Sequence, residues 1–168
     1  MDTTLNGMSF DPKGYVLRAE DGPHVWFLDT RMSVKAGGEQ TNGAFTFLEW
    51  SAPAGFGPPL HRHDREDEAF YLLEGAIEVN CGDKQWEARP GDFVFMPRGI
   101  PHAFVVSDGP VRGLQITAPA GFERFIEELG RPAQGPGLPA SASEPPDVPT
   151  MIEVSRRYGI ETLGPPSA

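Results

Sequence analysis

The chain has a single cysteine, Cys81, so it cannot form an intramolecular disulfide. Its 168 residues are enough for one domain of ordinary size, whose core needs no disulfides. Cysteine usage of this kind suits a reducing compartment, and we expect a cytoplasmic protein. The sequence also lacks a long apolar run, and residues 1–10 lack a basic segment followed by an apolar one. We therefore expect neither a membrane span nor a signal peptide.

Basic residues are scarce. The chain has 14 Lys and Arg against 24 Asp and Glu, which gives a formal net charge of -10. A surface this acidic repels phosphate backbones and anionic lipids, so we expect no nucleic-acid partner and no membrane partner. The acidic residues are spread along the chain, and the charge therefore indicates solubility rather than a mechanism.

Glycine and proline, in contrast, are abundant, with 20 and 18 residues. They separate short segments rich in β-branched and aromatic residues, a spacing typical of an all-β sandwich or barrel. The predicted strands are 15–18, 25–28, 31–35, 44–50, 60–65, 68–73, 76–81, 85–88, 92–96, 102–107 and 111–117. About ten strands at such short intervals fit a double-sheet jelly roll.

The pattern changes after Ala118. Apolar residues then recur at helical spacing, and Gly130 is placed to cap the helix that this spacing predicts. These apolar residues are Phe122, Phe125, Ile126 and Leu129. Residues 131–149 are rich in proline and are predicted to form an extended tether, with a short helix over 150–158.

Three of the four histidines lie in two blocks that also contain regularly placed glycines. The first block is Gly55-x5-His61-x-His63-x4-Glu68-x6-Gly75, and the second is Gly91-x5-Pro97-x-Gly99-x2-His102. His61 and His63 are two residues apart, so on a strand they point to the same face. A lone strand histidine is usually structural or exposed to solvent, and His24 is expected to be such a surface residue. Three imidazoles and one carboxylate instead favour a site for a divalent metal.

Both blocks resemble the two signature motifs of the cupin superfamily. The resemblance implies a double-stranded β-helix, the jelly-roll or cupin barrel, over residues 1–118, with its metal site within 55–106 and a short helical extension over 119–168. It also implies one divalent transition metal per chain, and these ligands do not choose among Fe, Mn, Ni, Co, Cu and Zn. The implied ligands are His61, His63, Glu68 and His102, because the family spacing selects Glu68 rather than Glu66. The second motif usually ends in Asn where this chain has Val106, but that Asn is not a ligand.

Flanking segments resemble the single-barrel quercetinases of bacteria. They are residues 36–41, 119–125 and 129–133. This resemblance implies a metal-dependent dioxygenase that opens the ring of a flavonol such as quercetin, or of a related enolisable aromatic compound, with O2. Glu68 would then be both a metal ligand and the general base that removes a proton from the substrate's hydroxyl. Since a carboxylate beside a dication is a weak base, it must either loosen from the metal or act on a hydroxyl that the metal acidifies.

A flat aromatic substrate requires an apolar pocket. Strand alternation from Glu68 and from His102 places Phe70 and Phe104 on the face of the ligands, and it points Tyr71 away. Phe45, Phe47 and Met96 are further candidates for this pocket. Packing in the core is the competing interpretation for each of these residues.

Two other functions fit the same motifs. One is a non-catalytic cupin that binds a small molecule, and the other is a metal-dependent isomerase or lyase that does not use O2. Cupins commonly associate, so we expect a homodimer. The helix and tail of residues 119–168 would pack either on a neighbouring subunit or on their own barrel.

Overall fold

The computed structural model of the chain describes residues 3–5, 8–10, 13–140 and 147–166. Its strands are β1 (Thr3–Leu5), β2 (Met8–Phe10), β3 (His24–Phe27), β4 (Thr30–Ala36), β5 (Thr46–Ala52), β6 (Pro59–His63), β7 (Asp67–Cys81), β8 (Lys84–Ala88), β9 (Phe93–Met96), β10 (His102–Ala118), β11 (Arg131–Pro132) and β12 (Ile160–Pro166). Its helices are α1 (Gly38–Thr41), α2 (Phe122–Leu129) and α3 (Val148–Arg157). The strands pair antiparallel throughout these ranges, which confirms the all-β prediction.

Two long strands, β7 and β10, build the barrel because each runs through both of its sheets. The first half of β7 and the second half of β10 form one sheet with β9, β5, β4, β3 and β11. The second half of β7 and the first half of β10 form the facing sheet with β8, β6 and β12. Apolar side chains from both sheets fill the space between them, so the predicted jelly roll is confirmed.

The bends in β7 and β10 correct two sequence predictions. We expected breaks near Gly75 and between residues 107 and 111, but both strands continue through these positions. The pairing register shifts here instead, between Val106 and Asp108 and again between Asp108 and Arg112. Gly75 has a φ of 73°, and a Cβ at this position would lie 2.6 Å from the carbonyl oxygen of Asp108. The glycine therefore lets two strands cross closely while they bend, a role that the sequence pattern does not distinguish from a turn.

Gly75→Ala should lower the free energy of unfolding by about 2–4 kcal/mol, through the left-handed backbone conformation and the overlap with backbone atoms. Gly43→Ala is the matched control. Gly43 has a φ of 78°, but a Cβ there would meet nothing within 4 Å, so only the conformational cost of about 1–2 kcal/mol applies. Urea unfolding of both variants measures the difference. If both variants lost the same free energy of unfolding, the close crossing of the strands at Gly75 would contribute nothing to the effect of Gly75→Ala.

The predicted strand over 15–18 is wrong. These residues have no strand pairing, and Val16 is 73% exposed. β4 already pairs with β3 and β5, and the other edge of β3 is taken by β11. β3 and β4, the strands that follow next in the sequence, therefore offer no free edge to residues 15–18, although the composition of these residues favours a strand.

The C-terminal part of the chain packs on its own barrel. α2 confirms the predicted helix, and its Phe125 meets Phe27 edge to face at 5.4 Å. Buried Glu123 accepts hydrogen bonds from the backbone N–H groups of Gly38 (2.8 Å) and Gly121 (3.0 Å), which ties α2 to α1. Within one chain this segment thus folds back on its own barrel, and its packing on a neighbouring subunit stays a prediction.

The predicted tether and terminal helix need correction. α3 begins at Val148, two residues before the predicted start, because the Asp147 carboxylate caps it by accepting from the backbone N–H of Thr150. β11 and β12 were not predicted, and residues 141–146 of the tether lie outside the described residues. β12 pairs with β6 and thereby places Thr162 beside His61 and Ile160 beside His63.

None of the helices in the described ranges is both long and apolar enough to span a bilayer.

Candidate metal centre

The four predicted ligands converge between the two sheets. Ligand atoms of His61, His63, Glu68 and His102 all lie within 4.8 Å of one another. His63 and His102 are each 1% exposed and Glu68 is 5% exposed, whereas His61 is only partly buried. The site therefore opens towards solvent on the side of His61.

Strand pairing explains why residues distant in sequence meet here. His61 and His63 alternate along β6, so both point inwards, and His102 at the start of β10 pairs directly with His61. Glu68 lies on the first half of β7, which belongs to the other sheet, together with β9 and β5. The carboxylate thus reaches the three imidazoles from across the barrel interior.

The carboxylate lies at hydrogen-bonding distance from one of the imidazoles. Glu68 Oε2 is 3.0 Å from His102 Nε2 and 3.8 Å from His63 Nε2. The rings of His63 and His102 are nearly parallel, with an interplanar angle of 5° and centroids 5.5 Å apart. The His61 ring meets that of His102 edge to face at 4.5 Å. Three imidazoles and one carboxylate oxygen around a common point are a donor set that suits a divalent transition metal.

The other ring nitrogen of each histidine is held by an acceptor. His61 Nδ1 donates to the carbonyl oxygen of Pro59 (2.7 Å), and His102 Nδ1 donates to that of Ile100 (2.9 Å). His63 Nδ1 lies 3.0 Å from Oε2 of Glu66, which is 5% exposed. Because a carbonyl or carboxylate oxygen accepts, these contacts put a proton on Nδ1. They leave Nε2, which in His63 and His102 faces Glu68, as the nitrogen that can bind a metal.

Glu66 is a functional residue that the sequence interpretation set aside. Its signal in the sequence is its place three residues after His63, within the acidic turn between β6 and β7. The carbonyl partners of His61 and His102 leave no such signal, because any residue type supplies a carbonyl.

Glu66→Gln should weaken metal binding about 10- to 100-fold, the usual cost of losing the partner of a ligating histidine. The amide keeps the size of the side chain but removes the charge that orients His63. Asp64→Asn is the control, since Asp64 is an exposed carboxylate in the same turn that pairs with Arg62. Titration of metal-free protein with Co²⁺ gives both affinities. Equal affinities for the two variants would remove Glu66 from this role.

The electrostatics of the site keep two of its ligands, His61 and Glu68, in their metal-binding forms. Burial, and then the neighbouring His102, lower the pKa of His61 to about 4, so this imidazole is neutral at pH 7. Burial alone would raise the pKa of Glu68, but the hydrogen bond with His102 and the charges of the imidazoles bring it to about 2. Burial would lower the pKa of His63, but its hydrogen bond to Glu66 and the nearby carboxylates raise it above its usual value. A falling pH should therefore release metal by protonating His63 before His61.

The two oxygens of Glu68 have different surroundings. Oε2 faces the imidazoles, and Oε1 accepts a 2.7 Å hydrogen bond from the buried Gln115 amide. Beside Glu68 on the next strand lies Thr117, which is fully buried and whose hydroxyl has no partner among the described residues. This corner of the interior therefore offers a free hydroxyl next to the carboxylate.

The five predicted pocket residues divide into two groups. Phe70, Met96 and Phe104 are buried, Met96 pairs with Glu68 across the strands, and the Phe70 and Phe104 rings meet at 5.5 Å. The structure does not bring the other two to the ligands. Phe47 alternates with the buried Thr46 and Leu48 and points to the outer side of β5, and Phe45 precedes that strand and is half-buried.

Two aromatic residues near the site were not predicted. Trp50 is 2% exposed and packs on Phe70 (5.2 Å) and Phe104 (5.3 Å). The Phe122 ring lies 6.1 Å from that of His63. The signal that could have found Trp50 is alternation, because Leu48, Trp50 and Ala52 are apolar whereas Glu49 and Ser51, on the side of Phe47, are polar.

Comparison with known proteins finds a family match for part of the chain. Residues 48–117 match the family model described as "Cupin domain". A solved structure from Thermotoga maritima, described as a predicted oxalate decarboxylase, superposes with a TM-score of 0.55 at 23% identity. The superposition covers 62% of this chain and 99% of the Thermotoga maritima chain. At 23% sequence identity, this similarity shows the fold alone.

Two curated relatives are named quercetin 2,3-dioxygenase. The one from Bacillus subtilis is 27% identical over 121 residues, which are 72% of this chain and 36% of the relative. The one from Aspergillus japonicus is 25% identical over 162 residues, 92% of this chain and 43% of the relative. The chain thus spans less than half the length of either relative.

Proposed function

We propose that this chain, which carries a cupin domain and has the cupin fold, is a metal-dependent dioxygenase. Its substrate would be a flavonol such as quercetin, or a related enolisable aromatic compound. The observation that carries the proposal is the convergence of His61, His63, Glu68 and His102, with Nδ1 of each imidazole held by an oxygen acceptor. The two curated relatives named quercetin 2,3-dioxygenase support the choice of reaction.

The ligand set fits one divalent transition metal per chain, drawn from Fe, Mn, Ni, Co, Cu and Zn. When held by these four residues, the metal would supply a Lewis acid that lowers the pKa of the substrate's hydroxyl. This help is needed, because a carboxylate whose pKa lies near 2, such as that of Glu68, is a weak base. The three histidines hold the site rigid through their Nδ1 hydrogen bonds.

Glu68 is the residue that takes the proton. Its Oε1 lies away from the imidazoles and keeps a second lone pair beside the hydrogen bond from Gln115. The Thr117 hydroxyl, which is free among the described residues, can hold a polar atom of the substrate close by. In the overall reaction both atoms of O2 remain in the ring-opened ester, and the ring carbon that carried the hydroxyl leaves with its oxygen as carbon monoxide.

Aromatic side chains form the apolar side of the site. Trp50, Phe70 and Phe104 contact one another in the interior of the barrel, and Phe122 lies against His63. Such surfaces stack on a flat ring and exclude water from the reacting atoms.

The test is oxygen uptake with quercetin. The protein is stripped of metal and reloaded separately with Fe, Mn, Ni, Co or Cu, with His102→Ala as the inactive control. Loss of the flavonol absorbance, together with O2 consumption and release of carbon monoxide in at least one metal form, is expected. No uptake in any form that holds one metal per chain would contradict the proposal. Turnover without O2 would then favour an isomerase or lyase, and binding without turnover would favour a small-molecule-binding cupin.

A further inference from the structure

One strand beside the metal centre lies outside the residues that the cupin family model matches. The model covers residues 48–117, whereas β12 begins at Ile160 and forms an edge of the sheet that carries the three histidines. β12 pairs with β6, where Ile160 lies opposite His63 and Thr162 lies opposite His61. Because directly paired residues of two strands point to the same face of a sheet, Thr162 is on the face of the ligands.

The neighbours of Thr162 on β12 support this orientation. Glu161 pairs with Arg62 at 2.5 Å, and both side chains are partly exposed, so this pair lies on the outer side of the sheet. Ile160 is 5% exposed and belongs to the core. Thr162 points to the same side as Ile160, yet it is exposed. A residue that faces the interior and is still exposed to water lies at an opening of the barrel.

The row of paired residues that ends at Thr162 is buried at one end and exposed at the other. Strand pairing leads from Cys81 through His102 and His61 to Thr162. Cys81 and His102 are 7% and 1% exposed, His61 is partly buried, and Thr162 is exposed. The interior beside the ligands therefore opens where this row reaches β12.

The site is closed on the side of His63. Ile160 lies opposite His63 and is 5% exposed, and the Phe122 ring, 7% exposed, lies 6.1 Å from the His63 ring. His63 itself is 1% exposed. Of these two neighbouring positions on β12, only that of Thr162 leaves a path from solvent to a ligand.

We propose that Thr162 is a specificity-determining residue, because molecules that reach the metal centre enter past its side chain and are selected there by size. Threonine is small, so the opening admits a flat aromatic ring, whereas a larger side chain at this position narrows it. A flavonol as the substrate rests on the proposed function. The position of the entrance rests on strand register and burial alone.

Thr162→Trp in the Co²⁺-loaded full chain tests this selection. The probes are azide and 4-phenylimidazole, which both bind Co²⁺ and change its visible absorption, although only the second is large. The dissociation constant of 4-phenylimidazole should rise about 10-fold or more, because the indole occupies space that this ligand needs. That of azide should stay within about two-fold, since the four metal ligands are unchanged.

Glu161→Trp is the matched control. It places the same indole one residue earlier on β12, on the outer side of the sheet, and Arg62 keeps Asp64 as a partner at 2.9 Å. Both dissociation constants should equal those of the wild type. Metal content and far-UV circular dichroism verify that each variant is folded.

A second measurement needs neither metal nor turnover. Diethyl pyrocarbonate modifies accessible neutral imidazoles, and peptide mass spectrometry reports His61 separately from His24. In metal-free protein, Thr162→Trp should slow the modification of His61 several-fold and leave that of His24 unchanged. Glu161→Trp should change neither rate.

The proposal is overturned if Thr162→Trp and Glu161→Trp have equal effects on 4-phenylimidazole binding and on His61 modification. It is also overturned if Thr162→Trp weakens azide binding as much as 4-phenylimidazole binding, because the metal centre itself would then be disturbed. A wild-type protein that shows these size effects but does not turn over quercetin would contradict the proposed function and leave the entrance at Thr162 in place.

Discussion

His102→Ala should abolish metal binding at any practical concentration, with a loss of affinity of about 1000-fold or more. This exceeds the roughly 10- to 100-fold cost of losing a residue that only orients a ligand. His102 is 1% exposed and its Nε2 lies 3.0 Å from the carboxylate of Glu68. The substitution removes one of four ligands and also leaves a buried carboxylate with fewer partners. Metal content after dialysis and calorimetric titration with Co²⁺ measure the loss.

His24→Ala is the control for this prediction. His24 lies outside the cluster and contacts Ser33 and the carbonyl oxygen of Glu20, so its loss should not change metal affinity. Thermal unfolding provides a second readout. Metal at 1000 times its dissociation constant should stabilise the wild type and His24→Ala by about 4 kcal/mol, and it should not stabilise His102→Ala. A His102→Ala protein that still holds one metal per chain would exclude His102 as a ligand.

Glu68→Gln should lower turnover by about 10²- to 10⁴-fold, the contribution typical of a general base. The amide has nearly the shape of the carboxylate and can still accept the hydrogen bond from Gln115, so the fold should persist. It cannot take a proton from the substrate. Single-turnover loss of the flavonol absorbance, measured at equal metal content, separates this effect from weaker metal binding.

Glu161→Gln is the matched control for Glu68→Gln. Glu161 is a partly exposed carboxylate on β12 that pairs with Arg62 and precedes Thr162, the residue that pairs with His61. Its loss should leave turnover unchanged. Full turnover by Glu68→Gln with metal bound would show that another group takes the proton.

Much of the fold and the site could be predicted from the sequence. The period-two spacing of His61 and His63 and the glycine-bounded blocks indicated the ligands correctly as a group that converges in space. The strand boundaries were mostly right because turn residues mark them. The histidine spacing, the glycine positions and the turn residues are local signals, because each depends only on residues close together in the sequence.

The misses depend on contacts between distant segments. β12 contains Gly164, Pro165 and Pro166, a composition typical of a loop, and it becomes a strand only because the edge of β6 is free to pair with it. Residues 15–18 show the opposite case, because they are strand-forming residues but the neighbouring strands β3 and β4 have no free edge. Trp50 is a different case, because the alternation of apolar Leu48, Trp50 and Ala52 with polar Glu49 and Ser51 already marks the inner side of β5 in the sequence.

The most direct test of the central claim is anomalous X-ray diffraction from crystals of the Co²⁺-loaded protein. One strong peak per chain is predicted among the Nε2 atoms of His61, His63 and His102 and a carboxylate oxygen of Glu68, with metal–nitrogen distances of about 2.0–2.1 Å, as for zinc in such sites. No peak at this point in protein shown to hold one metal per chain, or a peak held by other residues, would contradict the account.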